Sequence, residues 1–394
     1  MPRLFLSFLL LFTISFSKAQ TLQGKVIDIN TGEAIPFVSI GILGTNNTTV
    51  TNDAGEFVLK NIAFPAKLRF SHVSYFLAEQ EVSAENNNLL VKLQPAAINL
   101  KPVVIDPYLG QRILQKALEK AKAYEKQAFY GKAFYRQLTA INGKPSQIYE
   151  LFYDLNFDIT KVNGWIAKQS RYAQLNEGVS FSMNNQSFLT FSFAGYLFEE
   201  KKGNLAKLKT LKDFEITVEK YIEQKDQDIA VISCKFKGNK KQFYVNSTYY
   251  VGMDDHNIYR LENSVFNLPL KTTKANLMMP PVVSTIATFN KKDSPVPILE
   301  NVSTKLYVNL NVGGMKLNPV ISSMLTIYQM DKELNSQKFT QLSKNVNDQT
   351  TIESVVYNPE FWKDNPIVKQ NALEAAFTKI MENKAAFGTM INPN

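Results

Sequence analysis

The chain has 394 residues, 45% of them hydrophobic and 12% aromatic, and carries a formal net charge of +9 at neutral pH. That is enough length for two or more domains and enough apolar surface for a sizeable core without covalent staples. The single cysteine, Cys234, excludes an internal disulfide, and only two histidines, His72 and His256, are present for metal or acid–base chemistry.

Residues 1–19 read as a secretory signal peptide. Arg3 supplies the positive end, Leu4 to Phe16 the apolar run, and Ser17-Lys18-Ala19 the small-residue cleavage site, with Gln20 as the expected mature N-terminus. No cysteine stands directly after that site, so a lipoprotein anchor is not expected. No later stretch approaches the roughly 18 apolar residues of a spanning helix. The expected location is the periplasm or the outer-membrane periphery.

Residues 20–94 read as an all-β unit. Strand-like runs at Gln23–Asp28, Pro36–Ile42, Thr48–Thr51, Glu56–Lys60, Ala66–Ser71, Gln80–Val82 and Leu89–Leu93 are separated by turns such as Asn30-Thr31-Gly32 and Asn52-Asp53-Ala54-Gly55. Seven short strands at this spacing predict a small β-sandwich. The segments Gly24-Lys-Val-Ile-Asp28, Thr31-Gly32, Pro36-Phe-Val38, Asp53-Ala-Gly55-Glu-Phe57 and Ser71-His-Val-Ser-Tyr75 resemble the carboxypeptidase regulatory-like domain, with Ser74 where that family usually has Gly. The resemblance implies a transthyretin-like sandwich without chemistry of its own, of a kind common in exported proteins of Bacteroidetes.

Pro95, Pro102 and Pro107 mark residues 95–107 as a linker. In the α+β domain expected over 108–394, Leu109, Ile113, Leu114, Ala117, Leu118 and Ala121 lie on one face of an opening helix. Hairpin signals follow: Asn142-Gly143 between Ala133–Thr139 and Ser146–Phe157, Gln224–Asp228 between two further strands, and Asp254-Asp255-His256-Asn257 between Gln242–Met253 and Ile258–Phe266. Ser303–Val312 and Ser322–Met330 add two strands across a loop with Gly313-Gly314 and Pro319, whereas Asn163–Asn204 shows no clear period. Leu373, Ala376, Phe377, Ile380 and Met381 predict a last helix, with Phe361 and Trp362 anchoring the tail. The fold class expected is mainly β, a seven-stranded sandwich followed by a large curved antiparallel sheet with flanking helices.

This region resembles the uncharacterised portions that follow the same module in other exported proteins, through Gly131-Lys-Ala-Phe-Tyr-Arg136 and Tyr357-Asn-Pro-Glu-Phe-Trp362. The hairpin Tyr249 to Glu262 is similar to strands of lipoprotein-sorting carriers, whose half-barrel sheets cup a lipid chain.

Catalytic patterns are sparse. His72 and His256 sit in neither His-Glu-x-x-His nor His-x-x-Glu, and no Gly-x-Ser-x-Gly elbow, phosphate loop or dinucleotide fingerprint occurs. His256 is expected as an exposed turn residue, and Cys234 as a buried, inert thiol. The acid pairs Glu150/Asp154, Glu199/Glu200 and Asp254/Asp255 are candidates for glycoside hydrolysis by proximity alone, and Asp226 and Asp228 lack a calcium-loop frame. Dispersed lysine pairs argue against nucleic acid. Phe181, Phe188, Phe191, Phe193, Tyr196 and Phe198 form the candidate ligand or partner face. No cofactor and no metal are expected. The reading is a non-enzymatic envelope protein that binds or assembles with an envelope protein, glycan or lipid; the alternatives are an acyl-chain carrier using the curved sheet and a carbohydrate-active hydrolase.

Overall fold

The computed structural model describes residues 20–85, 88–99, 106–159, 161–175, 181, 183, 185–193, 206–270, 275–291, 294–363 and 367–388. The signal-peptide reading of residues 1–19 therefore falls outside them.

The front unit is a two-sheet sandwich. Its strands are β1 (Gln20–Asp28), β2 (Ser39–Ile42), β3 (Thr48–Val50), β4 (Glu56–Ile62), β5 (Ala66–His72), β6 (Tyr75–Val82) and β7 (Asn88–Leu93). One sheet has the order β4-β1-β7 and the other β3-β2-β5-β6. Alternating side chains of both sheets, among them Leu22, Val26, Ile40, Phe57, Leu68 and Phe70, meet in one core, with the Phe57 and Phe70 rings edge to face at 6.0 Å. The turn after β1 is closed by Asp28, whose Oδ1 accepts from the Asn30 and Thr31 N–H groups at 2.7 and 3.1 Å. Its Oδ2 accepts from Tyr75 Oη at 3.0 Å, which ties the start of β6 to that turn. β6 starts five residues earlier than expected. Its exposed positions along Tyr75–Gln80 interrupt the apolar alternation from which strands are read.

Gly24 shows how tight this packing is: a Cβ there would lie 2.4 Å from the Leu89 carbonyl oxygen and 2.5 Å from the Phe57 ring. Gly24→Ala is expected to cost about 1–3 kcal/mol by overpacking. A lowered urea midpoint with an unchanged slope checks this.

The stretch expected as a linker begins as part of the fold. Pro95 bridges to Tyr75, and β8 (Ala97–Asn99) pairs with the second domain. Helix α1 (Leu109–Ala123) buries Ile113, Leu114 and Ala117, on the stripe expected.

A 13-stranded sheet then forms the framework of the rest of the chain. It contains β9 (Phe129–Ile141), β10 (Lys144–Phe157), β11 (Val162–Gln174), β12 (Phe214–Glu223), β13 (Asp228–Phe236), β14 (Tyr244–Gly252), β15 (Ile258–Phe266), β16 (Asn276–Asn290), β17 (Ile298–Val312), β18 (Met315–Leu317), β19 (Pro319–Met330) and β20 (Thr340–Gln341). The order β20-β11-β10-β9-β19-β17-β16-β15-β14-β13-β12-β8 leaves two different strands at the edges, so the sheet is open. Asn142 and Gly143 both take positive φ (50° and 78°), the geometry a two-residue hairpin needs. The loop expected between β17 and β19 instead contains β18, folded back through Gly313 and Gly314 at φ 57° and 90°.

The two faces of this sheet carry different cargo. The front face holds α1, the short helix α2 (Gln186–Phe191) and α3 (Asp348–Glu353); the back face holds the sandwich, α4 (Pro359–Lys363) and α5 (Ala372–Asn383). The sandwich is fastened to the back face by Ser39 Oγ donating to Glu300 Oε1 at 2.7 Å and by an Asn47–Gln329 bridge. Thr49 Oγ1 and Asn52 Nδ2 tie it to the tail, donating to the Ile367 and Lys369 carbonyls at 2.8 and 3.2 Å. As expected, Phe361 and Trp362 anchor that tail, with rings 5.0 and 5.3 Å from Phe152.

Candidate functional site

The front face is built in registered rows. Leu151, Tyr135, Leu325, Val302, Ala287 and Leu261 stand opposite one another from β10 to β15, an apolar row that strand alternation aims at one side. Two residues along each strand lies a second row: Tyr149, Gln137, Ser323, Thr304, Thr285, Asn263 and Ser247, running from β10 to β14. Every member of this polar row is buried. Sequence reading missed it because each strand contributes one polar residue, and only the register aligns them.

Helix α2 lies on this row. Thr190 Oγ1 is 2.8 Å from Ser323 Oγ, and Asn263 Nδ2 and Thr285 Oγ1 donate to the Phe193 carbonyl at 3.1 and 3.2 Å. Asp348 of α3 accepts from the Ser187 N–H at 3.1 Å, from the Ser187 hydroxyl, and from Tyr149 Oη at 2.7 Å. Burial raises the Asp348 carboxyl to about 6 despite these bonds. Of the expected aromatic face, Phe188, Phe191 and Phe193 are buried and fill the front face, with Phe191 against Tyr135, Tyr153 and Trp165. Phe181 is half-buried against the neighbouring apolar cluster. Tyr196 and Phe198 lie outside the described residues.

The back face contains a cleft of about 220 Å3 at the seam between sandwich and sheet, where His72, Arg260, Asn290 and Glu300 stand among apolar walls such as Leu77 and Phe289. Burial and the adjacent Arg260 push the His72 imidazole down to about 3, so the ring is neutral. Its Nδ1 accepts from the Ser74 N–H at 3.2 Å, and its Nε2 faces Arg260. Arg260 Nη1 lies 3.4 Å from that nitrogen. The two side chains are thus in polar contact with each other in the cleft, and Arg260 Nε also donates to Glu262 Oε1 at 2.7 Å. The carboxylate of Glu300, 4% exposed, accepts from Ser39 and from Asn290 in the same cleft.

The acid pairs have other work. Glu150 is sandwiched between Arg136 and Arg171 at 2.6 and 2.5 Å, and Asp154 faces Lys168 at 3.6 Å. Burial pushes the Glu150 carboxyl up, but the two guanidinium groups outweigh it and hold it below the ordinary range. Asp255 accepts from Asn257 and Tyr259, and Asp254 is exposed. Glu199 and Glu200 lie outside the described residues. His256 occupies its expected turn at φ 55°, but it is half-buried rather than exposed, with Nδ1 buried. Burial raises the Cys234 thiol to about 12, leaving it protonated. No helix among the described residues is long and apolar enough to cross a membrane.

Residues 22–105 match the family model of the CarboxypepD_reg-like domain, and no curated protein matches the chain. Among solved structures, a DUF1329 family protein from Desulfovibrio piger is 9% identical with a TM-score of 0.23, covering 58% of this chain and 95% of its own. A LolA superfamily protein from Nitrosomonas europaea is 10% identical with a TM-score of 0.22, covering 57% and 97%. MucB, solved in complex with MucA, is 8% identical with a TM-score of 0.16, covering 56% and 94%.

Proposed function

We propose that this chain is a non-enzymatic binding or assembly module of the cell envelope, acting at the periplasmic or outer-membrane surface, and that its partner seats in the seam between sandwich and sheet. The observation that carries this reading is the filled front face. Helix α2 and the Phe191 and Phe193 rings occupy the space an acyl chain would need, and the cavities on either side of them, beside Phe193 and beside Phe188 and Leu189, have only about 110 and 200 Å3. Pockets for drug-sized ligands run to about 300–1,000 Å3. The seam, by contrast, joins groups from both folding units, and such junctions are favoured places for recognition. Its Arg260 guanidinium, beside His72, suits a carbonyl, hydroxyl or carboxylate of the partner.

Native purification followed by mass spectrometry tests the proposal. A stoichiometric protein or glycan is expected, and Arg260→Ala is expected to weaken its retention at least tenfold. Stoichiometric fatty acid or phospholipid released on denaturation would overturn the reading in favour of a carrier.

A further inference from the structure

The two ends of the large sheet differ in charge. One end is built from residues 141–146, 236–244, 264–270, 275–284 and 307–320, and none of these segments contains Asp or Glu. They carry the exposed lysines Lys144, Lys237, Lys240, Lys241 and Lys316, and none of these pairs with a carboxylate among the described residues. At the opposite end the turns mix both signs, with Asp158, Asp226, Asp254, Asp255 and Asp331 beside their lysines.

The lysine end also exposes apolar side chains. Met279 and Met315 flank β17, opposite Asn309 and Val312, and are 61% and 54% exposed. Met278 and, further along β17, Tyr307 are exposed as well. Hydrogen bonds between turns hold the frame. Asn267 Nδ2 donates to the Lys240 and Gln242 carbonyls at 2.8 and 2.9 Å, and Asn142 Oδ1 accepts from the Asn318 N–H at 2.9 Å.

We infer that this end of the sheet docks on a bilayer surface bearing anionic lipid, with the lysines at the phosphates and the methionines and Tyr307 at the boundary with the acyl chains. Such binding draws on buried apolar area and on charge together, and both are present here. From Lys144 on β10 to Lys237 beyond β13 the strand order spans roughly 30–35 Å at ordinary strand spacing, the breadth of a surface and not of a small-ligand site. A soluble polyanion would satisfy the lysines and leave the methionines in water. A protein partner would have to desolvate lysines, which protein interfaces disfavour. The seam residues Arg260 and Thr288 stand at the other ends of β15 and β16, so the inference does not depend on the partner proposed there.

Methyl NMR of the full chain on bicelles tests this. With equimolar phosphatidylglycerol and phosphatidylcholine and a paramagnetic lipid, the methyl signals of Met278, Met279 and Met315 are expected to broaden. Those of Met253 and Met330, at the opposite end, are expected to stay sharp. The broadening is expected to fall at least tenfold on phosphatidylcholine alone and in the variant Lys237→Gln, Lys240→Gln, Lys241→Gln. Met279→Ser with Met315→Ser is expected to weaken co-sedimentation with vesicles of the same lipids while keeping its salt dependence. Broadening that ignores lipid charge, survives the lysine variant or shows no preference for this end would overturn the inference. So would polyglutamate bound as tightly as the vesicles with the methionine signals unmoved, which would make the partner a soluble acidic chain. Retention of the seam partner by the lysine variant separates this surface from the seam.

Discussion

Glu150→Gln is expected to lower stability by about 3–5 kcal/mol, because it leaves two buried guanidinium groups without their shared counter-charge. The register makes the arrangement. Arg136 on β9, Glu150 on β10 and Arg171 on β11 stand directly opposite one another on the back face. The side chains of Arg136 and Glu150 are 3% and 1% exposed, so water does not replace the lost carboxylate. Arg136 also donates to Glu374 Oε2 at 3.2 Å and to the Val368 carbonyl at 3.0 Å, and Arg171 lies over the Trp362 and Phe387 rings at 4.7 and 4.6 Å. The triad is therefore the clasp that holds the C-terminal tail to the sheet.

Two measurements check this. The denaturation midpoint should fall, and limited proteolysis should cut within residues 367–388 of the variant before the wild-type chain is touched. Replacing the triad together with the buried carboxylate that Arg136 also pairs, Arg136→Met, Glu150→Leu, Arg171→Leu and Glu374→Gln, should recover much of the loss, since no member of the cluster then buries a charge. A Glu150→Gln variant with wild-type stability and an intact tail would show that the triad is not the clasp.

What could be read along the chain was whatever repeats locally. The sandwich strands, the Asn142-Gly143 hairpin, the stripe of α1 and the tail anchors Phe361 and Trp362 all announce themselves within a window of a few residues. β11 did not, because register shifts between Phe152/Tyr153 and Asn156/Phe157 of its partner break the alternation it would otherwise show. Helix α2 did not either: all six of its residues are buried, so it has no polar side to set against an apolar one. The Arg–Glu–Arg row and the polar row from Tyr149 to Ser247 were invisible for a different reason. Each is made of single residues on separate strands, brought into line only by pairing across long sequence separations. Glu150 paired with Asp154 looked like two acids on one strand; in the fold each faces a cation from the neighbouring strand.

The polar row makes the front face sensitive to pH through Asp348. Tyr149 has one hydroxyl proton but lies 2.6 Å from Gln137 Oε1 and 2.7 Å from Asp348 Oδ2, and Tyr135 Oη donates to the same Gln137 oxygen at 2.9 Å. Burial raises the Asp348 carboxyl to about 6 although it accepts from Tyr149 and Ser187. The unfolded carboxyl titrates near 4. The raised folded value means that this group's contribution to stability is fully present below about pH 4 and is lost as pH rises through about 6. A shift of about 2 units corresponds to about 3 kcal/mol. Asp348→Asn removes the ionisation while still offering an acceptor to the Ser187 N–H and a donor to its hydroxyl. The stability of the variant relative to wild type is therefore expected to rise by about 3 kcal/mol between pH 4 and pH 8. The amides of residues 186–191, corrected for intrinsic exchange, should also open more readily at pH 8 than at pH 5 in the wild-type chain and equally at both in the variant. Parallel stability profiles for the two proteins would mean that α2 is held independently of the charge on Asp348.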